Sequence, residues 1–127
     1  MIYGYARISR SSQNIDRQIR NIKTFNDSAI IYQEAYTGTK QNRPEWLKLN
    51  KKLKQGDTII FDSVSRMSRN ADDGFKEYEQ LYNRGINLIF LKERHIDTET
   101  YKIALNQQIS TTGNAIADTY IDATNKV

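Results

Sequence analysis

Two alternating hydrophobic periods limit what this chain can fold into. Residues 2–8, 29–32, 58–61 and 86–91 are short runs of apolar, β-branched and aromatic side chains, which predict buried strands. Between them the apolar positions change to helical spacing. Ile15, Ile19, Ile22 and Phe25 predict one helix, with Ser11 or Ser12 as its N-cap. Trp46, Leu49 and Leu53 share one face of a second, flanked by Leu47, with Pro44 in its first turn and Gly56-Asp57 ending it. Phe75, Tyr78, Leu81 and Tyr82 mark a third over residues 71–83, stopped by Gly85. Strands and helices alternating at these lengths predict an α/β fold with a mainly parallel sheet flanked by helices. Such sheets build their sites at the C-terminal ends of strands.

The last segment has a different pattern. Leu105, Ile109, Thr112, Ile116, Tyr120, Ala123 and Val127 follow a four-three spacing. Residues 101–127 are therefore expected to begin a long C-terminal helix, after a core of residues 1–100. Gly113 in its middle costs about 1 kcal/mol relative to alanine, so the helix needs a packing partner. That face, with Leu105, Ile109, Ile116 and Tyr120 on it, is read as a dimer contact. Packing on the chain's own core is the alternative.

A chain of 127 residues is long enough to bury a single core. It has no cysteine, which excludes disulfides, thiolate chemistry and cysteine-based zinc sites. No apolar run is long enough to span a bilayer and no signal-peptide pattern is present, so an intracellular location is expected. Seventeen of the nineteen Lys and Arg and eleven of the fifteen acids fall in residues 1–94. That leaves +6 there and −2 in residues 95–127. The basic character, which suits a polyanionic partner, belongs to the part with the strands.

Tyr5, Arg7 and Ser9 alternate along the first strand and so point to one face, with the serine at its end. A hydroxyl beside an arginine can attack a phosphodiester while the guanidinium stabilises the developing charge. Helix capping is the plain alternative for Ser9, and it is the expected role of Ser11 and Ser12. After the third strand, Ser65-Arg-Met-Ser-Arg69 sets Arg66 and Arg69 three residues apart, on one face of a helical turn. Two such guanidiniums can grip adjacent phosphate oxygens. Arg43 ends the polar stretch 36–43, read as a mobile loop, and can close over a bound phosphate. His95 is the single histidine, expected at the surface or as a cap. Asp62, Asp72 and Asp73 have no ligand spacing, so no metal and no cofactor is expected.

The residues GYARIS, then Gln13, Asp16 and Gln18, a TG-containing loop ending in Arg43, the GDTIIF strand and SVSRMSRN together resemble the serine recombinases. These are the resolvases, invertases and large serine integrases, and the resemblance covers about residues 2–125. It implies that Ser9 is the nucleophile, attacking DNA to give a 5′-phosphoserine link and a free 3′-hydroxyl. It implies that Arg7 binds the scissile phosphate, that Gln18 supports the site, and that Arg43 is the loop arginine. Arg66 and Arg69 match the paired arginines, and Lys52 a lysine that some members use in active-site assembly. Tyr5 falls to support. The implied reaction is metal-free, the arginines supplying the charge stabilisation that magnesium gives elsewhere. The implied partners are double-stranded DNA and further copies of the chain, a homodimer that becomes a tetramer in synapsis. The implied location is the bacterial cytoplasm or nucleoid.

Two departures from that family stand out. Many members have an aspartate where Ser65 stands, so the general acid/base is open; Asp62 is near in sequence but offset by three residues. After Arg94 there is no arginine, and no helix-turn-helix or zinc-ribbon pattern follows. A trimmed catalytic fragment that binds DNA weakly by itself is expected. The alternative is a non-catalytic DNA-binding or regulatory dimer that keeps the fold. A nucleotide-binding module is disfavoured, because neither GxGxxG nor GxxxxGK[ST] occurs.

Overall fold

The computed structural model describes residues 1–8, 15–35, 43–68 and 71–107. Among them four strands, β1 (Ile2–Ile8), β2 (Ile30–Ala35), β3 (Thr58–Phe61) and β4 (Asn87–Phe90), form one sheet in the order β2-β1-β3-β4. Every pairing is parallel, as the alternation predicted. The helices are α1 (Ile15–Phe25), α2 (Pro44–Lys52), α3 (Ala71–Asn83) and α4 (Thr98–Gln107). Short 3₁₀ turns at Val64–Arg66 and Arg94–Ile96 follow β3 and β4.

Strand parity sorts the side chains onto two faces. Tyr3, Tyr5, Ile59, Phe61, Leu88 and Phe90 pack with Trp46, Leu49, Tyr78 and Leu81 in the larger core, beneath α2 and α3. Aromatic rings dominate it: Tyr5 meets Trp46 edge-on at 5.0 Å, and Phe61 stacks on Phe90 at 5.1 Å. The smaller core, on the other face, joins Ile60 and Ala29 to Ile22 of α1. There α1 lies directly on the β1 backbone. A Cβ at Gly4 would come within 2.7 Å of both Ile22 and Ile31, so a side chain there would have to displace them.

Several sequence expectations shift by a few residues. The second strand begins at Ile30 and continues to Ala35, so it takes in Glu34; the fourth is shorter by one residue at each end. The α1 face is narrower than the apolar spacing predicted. Ile22 is fully buried, Gln18 takes the other buried place, and Phe25 is 44 % exposed beneath the Arg94 guanidinium. Leu47 is 55 % exposed, and Leu53 is buried just past the end of α2, in extended backbone. Gly85 ends α3 as expected. Its φ of +79° lets the Ile86 N–H reach the Leu81 carbonyl at 3.0 Å and the Gly85 N–H reach Tyr82 at 3.0 Å.

β4 is an edge strand, and the chain covers it with side chains. Asp97 accepts from the Phe90 N–H at 2.7 Å and Thr98 Oγ1 accepts from the Leu88 N–H at 2.9 Å, where a fifth strand would pair. Tyr101 of α4 is buried against Tyr78 and Tyr82. Of the expected seam, Leu105 is 36 % exposed. Ile109, Ile116 and Tyr120 lie outside the described residues, as do Ser9, Ser11, Ser12, Gln13 and Arg69.

Candidate functional site

The C-terminal end of β1 is where the sheet loses a neighbour. Pairing of β1 with β3 runs from Ile2 to Tyr5, whereas pairing with β2 continues through Arg7 and Ile8. Beyond Tyr5 the Arg7 backbone therefore needs other partners, and Gln18 supplies both. Its Oε1 accepts the Arg7 N–H at 3.0 Å and its Nε2 donates to the Arg7 carbonyl at 2.9 Å. A primary amide is uncharged and carries its donor and its acceptor on adjacent atoms of one planar group, which suits a buried glutamine to both ends of a single residue's backbone.

The Arg7 side chain is buried on the same sheet face as Tyr5. Its Nε donates to the Arg66 carbonyl at 3.1 Å and its Nη2 to the Ser65 carbonyl at 2.5 Å. One rigid guanidinium thus ties the end of β1 to the turn after β3. That turn is held from a second side by Glu93, whose Oε1 accepts the Val64 N–H at 2.9 Å. Burial pushes the Glu93 carboxyl above its usual range, with the Val64 N–H and nearby Lys92 opposing the shift. The Ser63 and Ser65 hydroxyls lie 3.0 Å apart. Arg66 Nε is buried with no hydrogen-bond partner among the described residues. Arg7 and Arg66 are therefore brought together, and Ser9 follows Ile8 in the chain.

A second cluster flanks the first. Glu34, in β2 opposite Arg7, is almost fully buried. Its Oε1 accepts from the Tyr5 hydroxyl at 3.0 Å and from the Trp46 N–H at 3.0 Å, and its Oε2 faces the Glu45 N–H at 3.4 Å. A carboxylate thereby caps α2, whose own N-cap residue Arg43 makes no side-chain cap. Burial holds the Tyr5 phenol well above its ordinary value, despite the opposing Arg43, so it stays a donor to Glu34. The Arg43 guanidinium lies over the Tyr5 ring at 5.5 Å and the Trp46 ring at 4.9 Å.

Other candidates fall elsewhere. Lys52 is at the opposite end of α2 from Arg43, 5.9 Å from the Tyr32 ring, and Tyr32 in turn meets Tyr3 near the start of β1. Asp62 is buried and bonds Asn21 of α1 at 2.9 Å and Lys92 at 3.3 Å. It therefore points to the α1 face and does not take the place of an acid at Ser65. His95 is exposed in the second 3₁₀ turn. Among the described residues no group of three His, Cys, Asp or Glu is arranged to hold a metal ion, and no helix is long and apolar enough to cross a membrane. Glu34, Glu77 and Glu93 carry no local sequence signal, because their partners lie 11 to 34 residues away.

A family described as "Resolvase, N terminal domain" matches residues 2–121. A resolvase of Clostridium perfringens is 34 % identical over 99 residues, covering 77 % of this chain and 52 % of that protein. The Tn501 transposon resolvase of Pseudomonas aeruginosa is 32 % identical over 110 residues, covering 87 % and 57 %. The chain thus spans about half the length of the curated relatives it matches. A resolvase-family site-specific recombinase from Streptococcus pneumoniae superposes with a TM-score of 0.63 at 21 % identity, covering 98 % of this chain and 93 % of that one. A serine recombinase from Sulfolobus solfataricus gives 0.57 at 16 %, covering 98 % and 96 %. At these identities the two structures establish the shared fold.

Proposed function

Since the chain belongs to the resolvase family by its N-terminal domain, we propose that it is the catalytic domain of a serine site-specific recombinase. Ser9 attacks a DNA phosphodiester, forms a 5′-phosphoserine link and frees a 3′-hydroxyl. After strand exchange that hydroxyl attacks the phosphoserine and the strands are rejoined. Arg7, Arg43, Arg66 and Arg69 stabilise the charge on the phosphoryl oxygens, and no metal takes part. The observation that carries this reading is the double tie at the end of β1. Gln18 holds the Arg7 main chain, and the Arg7 guanidinium holds the turn from which Arg66 projects. A strand end and an arginine turn far apart in sequence are thereby locked together, as a preorganised anion site requires.

On this reading double-stranded DNA is the substrate, and two dimers assemble into a tetramer for exchange, in a bacterial cytoplasm. Tyr5 acts through Glu34 and Arg43 by holding the start of α2. Lys52 joins the site only if α2 or its surroundings move. The test fuses this chain to a foreign sequence-specific DNA-binding domain and supplies DNA with two matching sites in excess chelator. A covalent adduct on Ser9, absent in Ser9→Ala, is expected. An adduct strictly dependent on magnesium, or borne by another residue, would sink the mechanism. No adduct despite proven DNA binding favours a regulatory dimer, with Ser65→Asp as the first reversion to try.

A further inference from the structure

Glu77, on α3, faces the Trp46 indole of the second cluster and is the acid that Arg43 meets. Its Oε1 lies 3.9 Å from Arg43 Nη1, beyond hydrogen-bond reach, with the two side chains 28 % and 17 % exposed. Arg43 Nη2 and Glu77 Oε1 are both buried without a hydrogen-bond partner among the described residues. Among the described residues the remaining hold on the guanidinium is soft: two aromatic faces, and a contact of 3.4 Å from Nε to the Tyr5 hydroxyl. A cation and an anion are thus largely desolvated and incompletely paired, an arrangement that a better-matched counterion can replace. A phosphate offers that match, since it accepts two parallel N–H bonds from one guanidinium.

We propose that Glu77 is a positioning residue for Arg43: its carboxylate seats the guanidinium against the Tyr5 and Trp46 rings, and a DNA phosphate displaces it when Arg43 enters the reaction. This deepens the recombinase reading and rests on it. Glu77 holds Arg43 out of the site until a phosphate competes for it. The groups facing Glu77 are Arg43 ahead of α2, the Trp46 indole on α2 and Asp73 on its own helix, with Arg84 lining the same cleft. Burial raises the Glu77 carboxyl above its usual range and Arg43 opposes that shift, so acid neutralises Glu77 and loosens the seat.

Glu77→Gln keeps the shape and removes the charge. In the fused protein described above, this variant is expected to form the Ser9 adduct several-fold faster at neutral pH. Mild acidification should speed the unsubstituted protein and leave the Glu77→Gln variant unchanged. An unchanged or slower rate in Glu77→Gln, or the same pH profile in both proteins, overturns the proposal. A second measurement needs no DNA: the Glu77 carboxyl is titrated by NMR in the unsubstituted chain and in Arg43→Ala. Removal of Arg43 should raise its midpoint, and an unmoved midpoint overturns the pairing. If no protein forms an adduct, the recombinase reading is what fails, and the titration alone decides whether Glu77 seats Arg43.

Discussion

The Gln18 carboxamide grips the main chain of Arg7 at both ends, accepting a hydrogen bond from its N–H at 3.0 Å and donating one to its carbonyl at 2.9 Å. A side chain of α1 stands in for the strand neighbour that β1 lacks past Tyr5. The same residue sends its guanidinium the other way, to the turn after β3. Arg7 is therefore the point at which α1, the sheet and the arginine turn are fixed to one another.

Gln18→Leu fits the volume but orphans two buried backbone groups, each costing about 1–3 kcal/mol. Urea denaturation should show a loss of that order. A change under about 0.5 kcal/mol would mean that water replaces the amide and that the grip is dispensable.

Arg7→Lys keeps the charge and loses the fork that spans two carbonyls. Amide signals of Ser65, Arg66 and Met67 should broaden or shift, while those of α3 stay in place. Adduct formation should fall by about 10²–10³, the usual consequence of losing one preorganised donor. A variant with an undisturbed turn and full activity would separate Arg7 from both roles.

Glu34→Ala removes the acceptor shared by the Tyr5 hydroxyl and the Trp46 N–H. The first turn of α2 should fray, and hydrogen exchange at Trp46 should accelerate by at least about tenfold, the equivalent of about 1.4 kcal/mol. Unaltered protection at Trp46 would show that α2 is held by packing alone.

The raised carboxyl of Glu93 sets a direction for pH dependence. As pH climbs past the ordinary carboxylate range, the unfolded chain releases that proton before the folded one does. The Glu93 contribution is therefore full in acid and declines as pH rises through the folded-state value. Unfolding midpoints measured across that interval should fall more steeply for the unsubstituted chain than for Glu93→Gln. Parallel curves would remove Glu93 as the cause.

Thr98→Val preserves shape and deletes the oxygen that accepts from the Leu88 N–H at the β4 edge. A loss of about 1–3 kcal/mol is expected from the orphaned donor. The bared edge should also promote concentration-dependent aggregation, measured by light scattering. Stability and scattering both unchanged would place the edge protection elsewhere.

The sequence by itself determined the order and kind of the described elements, because strand and helix periods are local and each was long enough to read. Parity alone put Tyr5 and Arg7 on one face, and Gly85 announced the end of α3 because glycine reaches positive φ without the steric cost other residues meet. What only the tertiary structure decided is who meets whom. Arg7 finds its carbonyls 58 and 59 residues away, Glu34 caps a helix that begins ten residues later, and Glu77 finds Arg43 across the gap between α2 and α3. Nothing local marks such carboxylates, since an acid in a strand or on a helix reads as solvated until a distant partner buries it. Phe25 failed in the opposite sense: its spacing is helical and apolar, yet α1 touches the sheet through Ile22 above Gly4 and leaves that ring outside. Periodicity tells which face is apolar, and the close approach of two backbones decides how wide a stripe of it is buried.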